Sequence, residues 1–301
     1  MKLPNFTLKF IICWSFLLFF AQIGYTQTDS LPKINKKRLV GVVGGSVVLY
    51  GGTLIGLNEV WYKNNPRTNF HFFDDNAQWR KMDKFGHSYS AYHFSRISTE
   101  VFTWTGLQRN RAAFWGAVSS QVMMTTIEIL DGYSEAYGAS WGDLAANFSG
   151  ALLWWGQHQI WGKPHLHLKF SFQQSPYAAF RPNVLGKNLQ EQILKDYNGQ
   201  TYWLSVDMAH LLRKKKYPTW LNLSVGIGAN EMIYAREAEN KKNGFQSYQQ
   251  YYLGLDFHLE GIKTKNKLLK KLFWALGTIR LPAPTLEYNS KQGLLWHWIK
   301  F

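Results

Sequence analysis

The sequence DKFGH at residues 83–87 opens the stretch that decides the fold, residues 83–147. This stretch continues through Glu128 and Asp131 and closes with SWGD at residues 140–143 and then Asn147. Between these polar groups the sequence is apolar and rich in small residues, as in closely packed helices. Acids, an amide and an imidazole are costly to bury there unless they pair with one another or with a ligand. We therefore predict a candidate site in this stretch.

Four apolar segments have the pattern of helices, at residues 39–61, 76–105 and 111–131 and from residue 140 onward. In the first segment Gly52 and Gly56 form a small-xxx-small pattern, which predicts that another helix packs closely there. Asp74, Asp75 and Asn76 precede the second segment as candidate caps. The chain is thus expected to begin with a bundle of about four apolar helices.

The acids and the imidazole fall at helical spacings that place them on shared faces. Asp83 and His87 are four residues apart, so they can meet each other or one metal ion. Glu128 and Asp131 share a face in the last helical turn, where acids oppose the helix dipole and need a compensating partner.

The fourth segment begins with a pattern that resembles a capping box, in which Ser140 is the cap and Asp143 reaches back. A cap alone does not explain Asn147, which follows one turn later on the same face. Asp143 is therefore a candidate both as a cap and as a ligand. Gly150, Ala151 and Trp154 continue this face as a close-packing stripe.

Two interpretations of these polar groups remain open. In the first, they form a buried network that registers the helices, made by Asp83, Lys84, His87, Glu128, Asp131, Ser140, Asp143 and Asn147. In the second, they hold a divalent metal ion that activates water, with His87 or Glu128 as the catalytic base. The candidate metal ligands are then Asp83, His87, Glu128, Asp131 and Asp143.

The combined motifs resemble the VanZ-like and YfiM-like group of bacterial envelope proteins. The resemblance covers about residues 75–160, and the matching positions are Asp83, Lys84, His87, Glu128, Ser140, Asp143, Leu144, Asn147 and Gly150. It implies an envelope location and a compact helical unit, but it supplies no reaction. These relatives are often predicted lipoproteins, whereas the only cysteine here, Cys13, lies inside an apolar run and is badly placed for lipid attachment.

From residue 165 onward the apolar period changes from helical to two. The alternation predicts six strands, at about residues 166–173, 204–208, 221–228, 253–260, 273–281 and 293–301, each with one apolar and one polar face. Two more strands have room at 229–236 and 282–289, although Pro282 and Pro284 make the second a poor candidate. This pattern fits an antiparallel sheet packed on the helices or a partial or small outer-membrane barrel. The predicted fold class is therefore α+β.

Residues 1–26 have the pattern of a secretory signal peptide, with Lys2 and Lys9 before a continuous apolar run. The predicted division of the chain is a signal peptide at 1–26, a helical domain at 27–163 and a β domain at 164–301. The localisation that follows is the cell envelope, either the periplasm or the outer membrane after signal cleavage.

The composition indicates a lipid partner. Aromatic residues make up 17% of the chain, and such residues collect where apolar surface meets water. The formal charge of +15 suits a membrane lipid or lipopolysaccharide surface. The basic residues form short runs without a nucleic-acid-binding module, so no nucleic-acid partner is expected. The run from Lys263 to Phe273 is basic and amphipathic enough to lie on a lipid surface.

The sequence therefore predicts an exported, outer-membrane-associated envelope protein with a structural or lipid-handling role. The alternative is a metal-dependent hydrolase that acts on an envelope lipid or glycan. Phosphate-cradling glycine loops, the Gly-x-Ser-x-Gly elbow and the His-Glu-x-x-His zinc motif are all absent from the sequence. A divalent metal ion is thus the one candidate cofactor, and the sequence does not identify a protein partner.

Overall fold

The computed structural model describes residues 34–57, 66–214 and 216–301, so the predicted signal peptide and Cys13 lie outside the described residues. Four long helices come first: α1 Lys36–Leu57, α2 Met82–Trp104, α3 Arg109–Gly132 and α4 Trp141–Trp161. The strands are β1 Leu166–Phe172, β2 Gln200–Val206, β3 Leu221–Asn230, β4 Tyr248–Phe257, β5 Ala283–Asn289 and β6 Gly293–Lys300. Shorter helices lie between strands: α5 Pro182–Leu185, α6 Leu189–Lys195, α7 Met208–Leu211, α8 Glu237–Lys242 and α9 Lys267–Leu276. The predicted combination of helices and an antiparallel sheet is confirmed.

Helices α2, α3 and α4 pack against one another through small residues. A Cβ added at Gly150 on α4 would lie 2.0 Å from the backbone oxygen of Ser88 on α2. A Cβ added at Gly116 on α3 would lie 2.6 Å from the backbone oxygen of Ser95, also on α2. The helix backbones thus approach more closely than any larger side chain allows, as predicted for the stripe at Gly150.

Helix α1 does not join this unit as a fourth packed member. Its side chains Val40 and Val48 are 72% and 74% exposed. A Cβ added at Gly52 or Gly56 would meet nothing within 4 Å, so the predicted close packing there is wrong for the part of the chain described. Residues Lys36–Gly56 form the one described helix that is long and apolar enough to cross a membrane, judged by length and composition alone. Within residues 34–57, 66–214 and 216–301, the packed bundle has three helices, and a bundle of about four is not shown.

The six strands form one antiparallel sheet in the order β1-β2-β3-β4-β5-β6. The sheet is open, with β1 and β6 at its edges, and direct pairing of these edges is not seen among the described residues.

The predicted strand at 273–281 is wrong, because residues up to Leu276 belong to the lysine-rich helix α9. Its place is taken by β5, where the register shifts between Ala283 and Thr285 and so accommodates Pro284, which has no N–H to donate.

The polar face of the sheet is buried and its apolar face is exposed, which is the reverse of the usual arrangement. Lys169 on β1 and Asp256 on β4 are 1% and 0% exposed, whereas Leu294 and Trp298 on β6 are 66% and 75% exposed. The Lys169 Nζ and Asp256 Oδ2 atoms are 2.6 Å apart, although β1 and β4 would be about 14 Å apart in a flat sheet. The sheet is therefore curled around its polar face, with its apolar face outward.

Polar side chains of the helices pair with the backbone at the outer edge of β1. The Tyr92 hydroxyl and the Gln157 amide both donate to the carbonyl oxygen of Leu166, each at 3.0 Å. The His93 Nε2 atom lies 2.9 Å from the carbonyl oxygen of Leu168. Helices α2 and α4 thus cover the β1 edge by hydrogen bonding as well as by apolar contact.

A short chain segment, residues 278–280, covers the remaining part of the same edge. The backbone N–H of Phe170 donates to the Thr278 carbonyl at 3.1 Å, and the Arg280 N–H donates to the Phe170 carbonyl at 2.9 Å. The Arg280 guanidinium then crosses the polar face, stacks 3.8 Å over the Trp203 ring and donates to the carbonyl of Lys300 at the end of β6. This segment links the two edge strands that do not pair directly.

Close packing at Gly150 predicts a large difference in stability between alanine variants at two glycines of α4. We expect Gly150→Ala to destabilise the protein by roughly 1–3 kcal/mol or more, because the new methyl group overlaps the Ser88 backbone. Gly156→Ala is the matched control, since its Cβ meets nothing within 4 Å and alanine favours a helix. Thermal unfolding of the purified variants, followed by circular dichroism, measures both. Equal stability of the two variants would contradict the close helix approach.

Candidate functional site

A left-handed turn before α2 brings Asp75 back toward the start of that helix. Trp79, Arg80 and Lys81 have φ angles of 46°, 52° and 66°, a conformation that costs non-glycine residues roughly 1–2 kcal/mol each. Contacts with the loops of the sheet hold the turn in place. The Trp79 N–H donates to the carbonyl of Ala235 at 2.8 Å, and the Arg80 Nε donates to the Ser247 hydroxyl at 2.8 Å.

The Lys84 ammonium lies at the centre of three carboxylates from three separate parts of the chain. Its Nζ atom is 2.6 Å from Asp75, 2.8 Å from Asp143 and 3.0 Å from Asp83. Burial opposes its charge, but the neighbouring acids, Asp83 foremost, raise the pKa of Lys84 above its ordinary value. Lys84 therefore remains an ammonium ion and holds the start of α2 against the start of α4.

Ser140 caps α4, as predicted, but the acid that reaches back to it differs from the expectation. The Ser140 hydroxyl accepts from the N–H groups of Gly142 and Asp143 at 3.1 and 3.2 Å, and donates to Asp75 at 2.6 Å. The Ser140 N–H donates to Glu128 at 3.2 Å, where a capping box would use Asp143. The last turn of α3 thus completes the cap of α4 and frees Asp143 to face Lys84.

His87 pairs across the helices rather than along its own helix. Its Nδ1 atom lies 3.1 Å from the Asn147 amide oxygen and 3.5 Å from Glu128, and its Nε2 atom lies 3.7 Å from Asp143. The expected Asp83–His87 pair is replaced, because the Asp83 carboxylate turns to the adjacent Lys84. Burial opposes protonation of the imidazole, but Asp143 and Glu128 raise the pKa of His87 above its usual value.

Three carboxyl groups of the cluster hold protons more strongly than ordinary acids, and burial is the main cause of the raised pKa in each: Asp83, Glu128 and Asp143. Burial raises the pKa of Glu128 to about 7, partly offset by His87, and burial raises the pKa of Asp143 to about 6. If every group is ionised, the four carboxylates of Asp75, Asp83, Glu128 and Asp143 face only two cations, Lys84 and His87. The surplus of two negative charges favours protons or a further cation in this buried place.

The structure brings together seven of the eight side chains that the sequence predicts for the network: Asp83, Lys84, His87, Glu128, Ser140, Asp143 and Asn147. Asp131, half-buried near the end of α3, acts on Glu128 through its charge and raises the pKa of that group. Asp75 is the member that sequence reasoning missed. Its signal was only the acidic pair Asp74 and Asp75, which we interpreted as helix caps.

Two sets of side chains offer three metal-ligand atoms within 4.8 Å of one another among the described residues. The first set is His87, Glu128 and Asp143, and the second is Asp75, Asp83 and Asp143. Lys84 already lies among the members of the second set and supplies its positive charge. The first set is therefore the better candidate for a metal ion, and Asp131 belongs to neither.

The raised pKa of Glu128 predicts a loss of stability as the pH rises. Its folded pKa of about 7 lies above the ordinary 4.5, so the protonated form stabilises the fold below pH 4.5 and this stabilisation disappears through pH 7. In the wild type, the free energy of unfolding should therefore fall by on the order of 3 kcal/mol between pH 4.5 and 8. The neutral side chain of Glu128→Gln should avoid this loss. Unfolding at pH 5 and pH 8 in the presence of a chelator measures the difference.

The control for this variant is Glu135→Gln, because Glu135 is exposed. Its unfolding free energy should follow that of the wild type at both pH values. A Glu128→Gln protein with the same pH dependence as the wild type would show that Glu128 is an ordinary ionised acid.

Comparison with known proteins identifies a family that part of the chain resembles. Residues 71–154 match the model of a family described as "Predicted periplasmic lipoprotein (DUF2279)". No curated protein and no solved structure matches the chain. The matched segment contains every member of the cluster, from Asp75 to Asn147, and ends before the first strand of the sheet. The match supports an envelope or periplasmic location, whereas the YfiM-like and VanZ-like naming is not confirmed by it.

Proposed function

We propose that this chain is an envelope protein that associates with the outer membrane through the apolar outer face of its sheet. The observation that carries the proposal is the reversed burial of the two faces. The outward side chains with the largest exposure are Val225, Tyr251, Leu253, Leu255, Tyr288, Leu294, Trp296 and Trp298. Outer-membrane strands have this same alternation, with apolar groups toward lipid and polar groups inward.

The exposed apolar face is continuous across four strands. Val225 on β3 is paired with Leu253 on β4, which is paired with Leu286 on β5. Leu286 is in turn paired with Trp296 on β6. A continuous apolar surface of this kind is unfavourable in water and marks a contact with lipid or another apolar partner.

Helix α2 already covers the outer face of β1 and β2. The rings of Phe85 and Tyr202 are 6.4 Å apart, and those of Tyr89 and Phe170 are 5.8 Å apart. The helical unit therefore occupies one side of the curled sheet and leaves β3 to β6 for the membrane. Helix α1, with its exposed valines, adds a second apolar surface beside the same unit.

Hydrogen-bonded pairs of side chains stabilise the inward polar face. Asp256 accepts from Lys169 and from the Ser205 hydroxyl, each at 2.6 Å. Glu287 accepts from the Gln250 amide at 2.7 Å and lies 2.8 Å from His297 Nε2. Charges paired in this way suit a protein whose surroundings are apolar on the outside of the sheet.

In this proposal the Lys84 cluster has a structural role. Its ion pairs and hydrogen bonds join the start of α2, the end of α3 and the start of α4. It fixes the register of the helical unit that in turn covers β1 and β2. The protein thereby presents a fixed lipid-contacting surface, consistent with a structural or lipid-handling role.

Lipid access to individual positions tests the proposal. In a Cys13→Ser background, we expect spin labels at Leu255→Cys and Trp296→Cys to collide with lipid-soluble oxygen more than with a water-soluble nickel chelate, because both positions face outward. The purified full chain in phosphatidylcholine nanodiscs is the sample, and electron paramagnetic resonance measures both collision rates. Lys241→Cys, on the exposed face of α8, is the control and should show the opposite preference. Nickel accessibility at all three positions would rule out a lipid-contacting sheet face.

A metal-dependent hydrolase that acts on an envelope lipid or glycan is a second candidate, favoured by one observation. The ligand atoms of His87, Glu128 and Asp143 lie within 4.8 Å of one another, in a cluster with surplus negative charge. The Oε1 atom of Glu128 is buried without a hydrogen bond. In this case a divalent ion held by these three residues would activate water, and His87 or Glu128 would act as the base.

Metal content separates this candidate from the structural role. After dialysis against Mg²⁺, Ca²⁺, Mn²⁺ or Zn²⁺ in turn, a metal site predicts one bound ion per chain by elemental analysis. His87→Ala and Asp143→Asn should then lose the ion, whereas Asp83→Asn, which pairs with Lys84 instead, should retain it. Wild-type protein without bound metal, together with variants that lose only stability, would exclude the hydrolase.

A further inference from the structure

The two ends of the sheet differ strongly in charge. Because the sheet is an antiparallel meander, residues 207–214, 216–220 and 258–279 lie at one end. Residues 173–199, 231–247 and 290–292 lie at the other. Among the described residues, the first end carries eight lysines or arginines outside the buried Arg280 and only two acids. The second end carries seven basic residues and five acids. We refer to the first as the basic end.

Helix α9 supplies the basic end with an exposed amphipathic surface. Its leucines Leu268, Leu269 and Leu272 are exposed, and Leu268 reaches 74%. Lys267, Lys270 and Lys271 fall on the opposite face of the helix and are also exposed. Neither the leucine nor the lysine side chains named here are buried against the rest of the described chain. The helix therefore presents both apolar and cationic groups to a partner.

Contacts with α2 fix the position of α9 beside the sheet. The Arg96 guanidinium on α2 lies 4.5 Å over the Trp274 ring and donates to the Trp274 carbonyl at 2.5 Å. Arg96 also pairs with Glu260 at 3.0 Å, in the turn that follows β4. The C-terminal half of α9 is thereby held at the basic end, with its leucine face outward.

Exposed tryptophans occur at the same end. Trp220, next to the start of β3, is 43% exposed and stacks near Phe257 at the end of β4, with ring centroids 6.2 Å apart. Trp298 near the end of β6 is 75% exposed. Tryptophan prefers the level of lipid headgroups, between the hydrocarbon and water. The basic end thus combines interfacial aromatics with positive charge.

We propose that α9 docks on an anionic bilayer surface, with its leucines in the headgroup region and its lysines paired with lipid phosphates. This inference rests on the proposed membrane association and adds the orientation: the basic end of the sheet lies at the anionic leaflet. Charge complementarity identifies an anionic lipid surface as the partner of α9, because lysines on a helix with a leucine face bind anionic lipid better than a neutral surface.

Lipid selectivity at α9 tests the inference in the full-length protein. A fluorophore at Leu268→Cys, in the Cys13→Ser background, reports contact with brominated lipid by quenching. In nanodiscs that mix phosphatidylcholine and phosphatidylglycerol, we expect brominated phosphatidylglycerol to quench this label more than brominated phosphatidylcholine. Each lysine is worth about a factor of five in association, so Lys270→Gln/Lys271→Gln should remove most of the preference.

Matched controls lie at the opposite end of the sheet. Lys241→Gln/Lys242→Gln removes two exposed lysines from α8 and should leave the preference at position 268 unchanged. A label at Ser290→Cys, in the turn between β5 and β6, should show no preference for the anionic lipid. An equal effect of the two double variants would overturn the inference, since the preference would then reflect total charge.

The outcomes for the membrane association and for α9 are distinguishable. If labels at Leu255→Cys and Trp296→Cys contact lipid while the label at position 268 shows no preference for phosphatidylglycerol, the docking of α9 is wrong and the membrane association stands. If position 268 selects phosphatidylglycerol while the sheet positions contact only water, the docking of α9 is supported and the lipid-contacting sheet face is wrong.

Discussion

Buried charges have to be paired, and this requirement shapes both halves of the molecule. In the helical half, the Lys84 ammonium forms ion pairs with Asp75 before α2, Asp83 on α2 and Asp143 on α4. In the sheet, Lys169 on β1 and Asp256 on β4 meet across the two intervening strands, which is possible only because the sheet is curled. In both places an ion pair joins distant segments, beside the close helix packing at Gly116 and Gly150.

The cluster of acids differs from the ion pair under the sheet in one respect. Lys169 and Asp256 are matched one to one, whereas the four carboxylates around Lys84 and His87 exceed the positive charge available to them. Burial raises the pKa of Glu128, and the neighbouring charges of Asp143 and Asp131 raise it further. Whether protons or a metal ion balance the surplus negative charge separates a structural network from a hydrolase site.

Periodicity in the sequence predicts most of the elements, and its failures have physical reasons. The strand expected at 273–281 is partly helical, because Phe273 lies one turn after Leu269 and continues the leucine side of a lysine-rich helix. The two faces of each strand are readable from the sequence, but which face is buried depends on what surrounds the sheet. The position of Asp75 is not predictable from the sequence, because the left-handed turn at Trp79–Lys81 contains no glycine that would indicate a turn. Spacing in the sequence pairs Asp83 with His87, whereas in the structure the Asp83 carboxylate lies 3.0 Å from the adjacent Lys84 ammonium.

The covering of β1 makes the two rims of the sheet unequal. An uncovered strand can act as a template for another chain, and this is a common origin of aggregation. At β1 the backbone groups of Leu166, Leu168 and Phe170 are already engaged by Tyr92, His93, Gln157 and Thr278. At β6 no further strand follows within the described chain. Any growth of the sheet by addition of a strand, from a second copy or a foreign polypeptide, is therefore directed to β6 and blocked at β1.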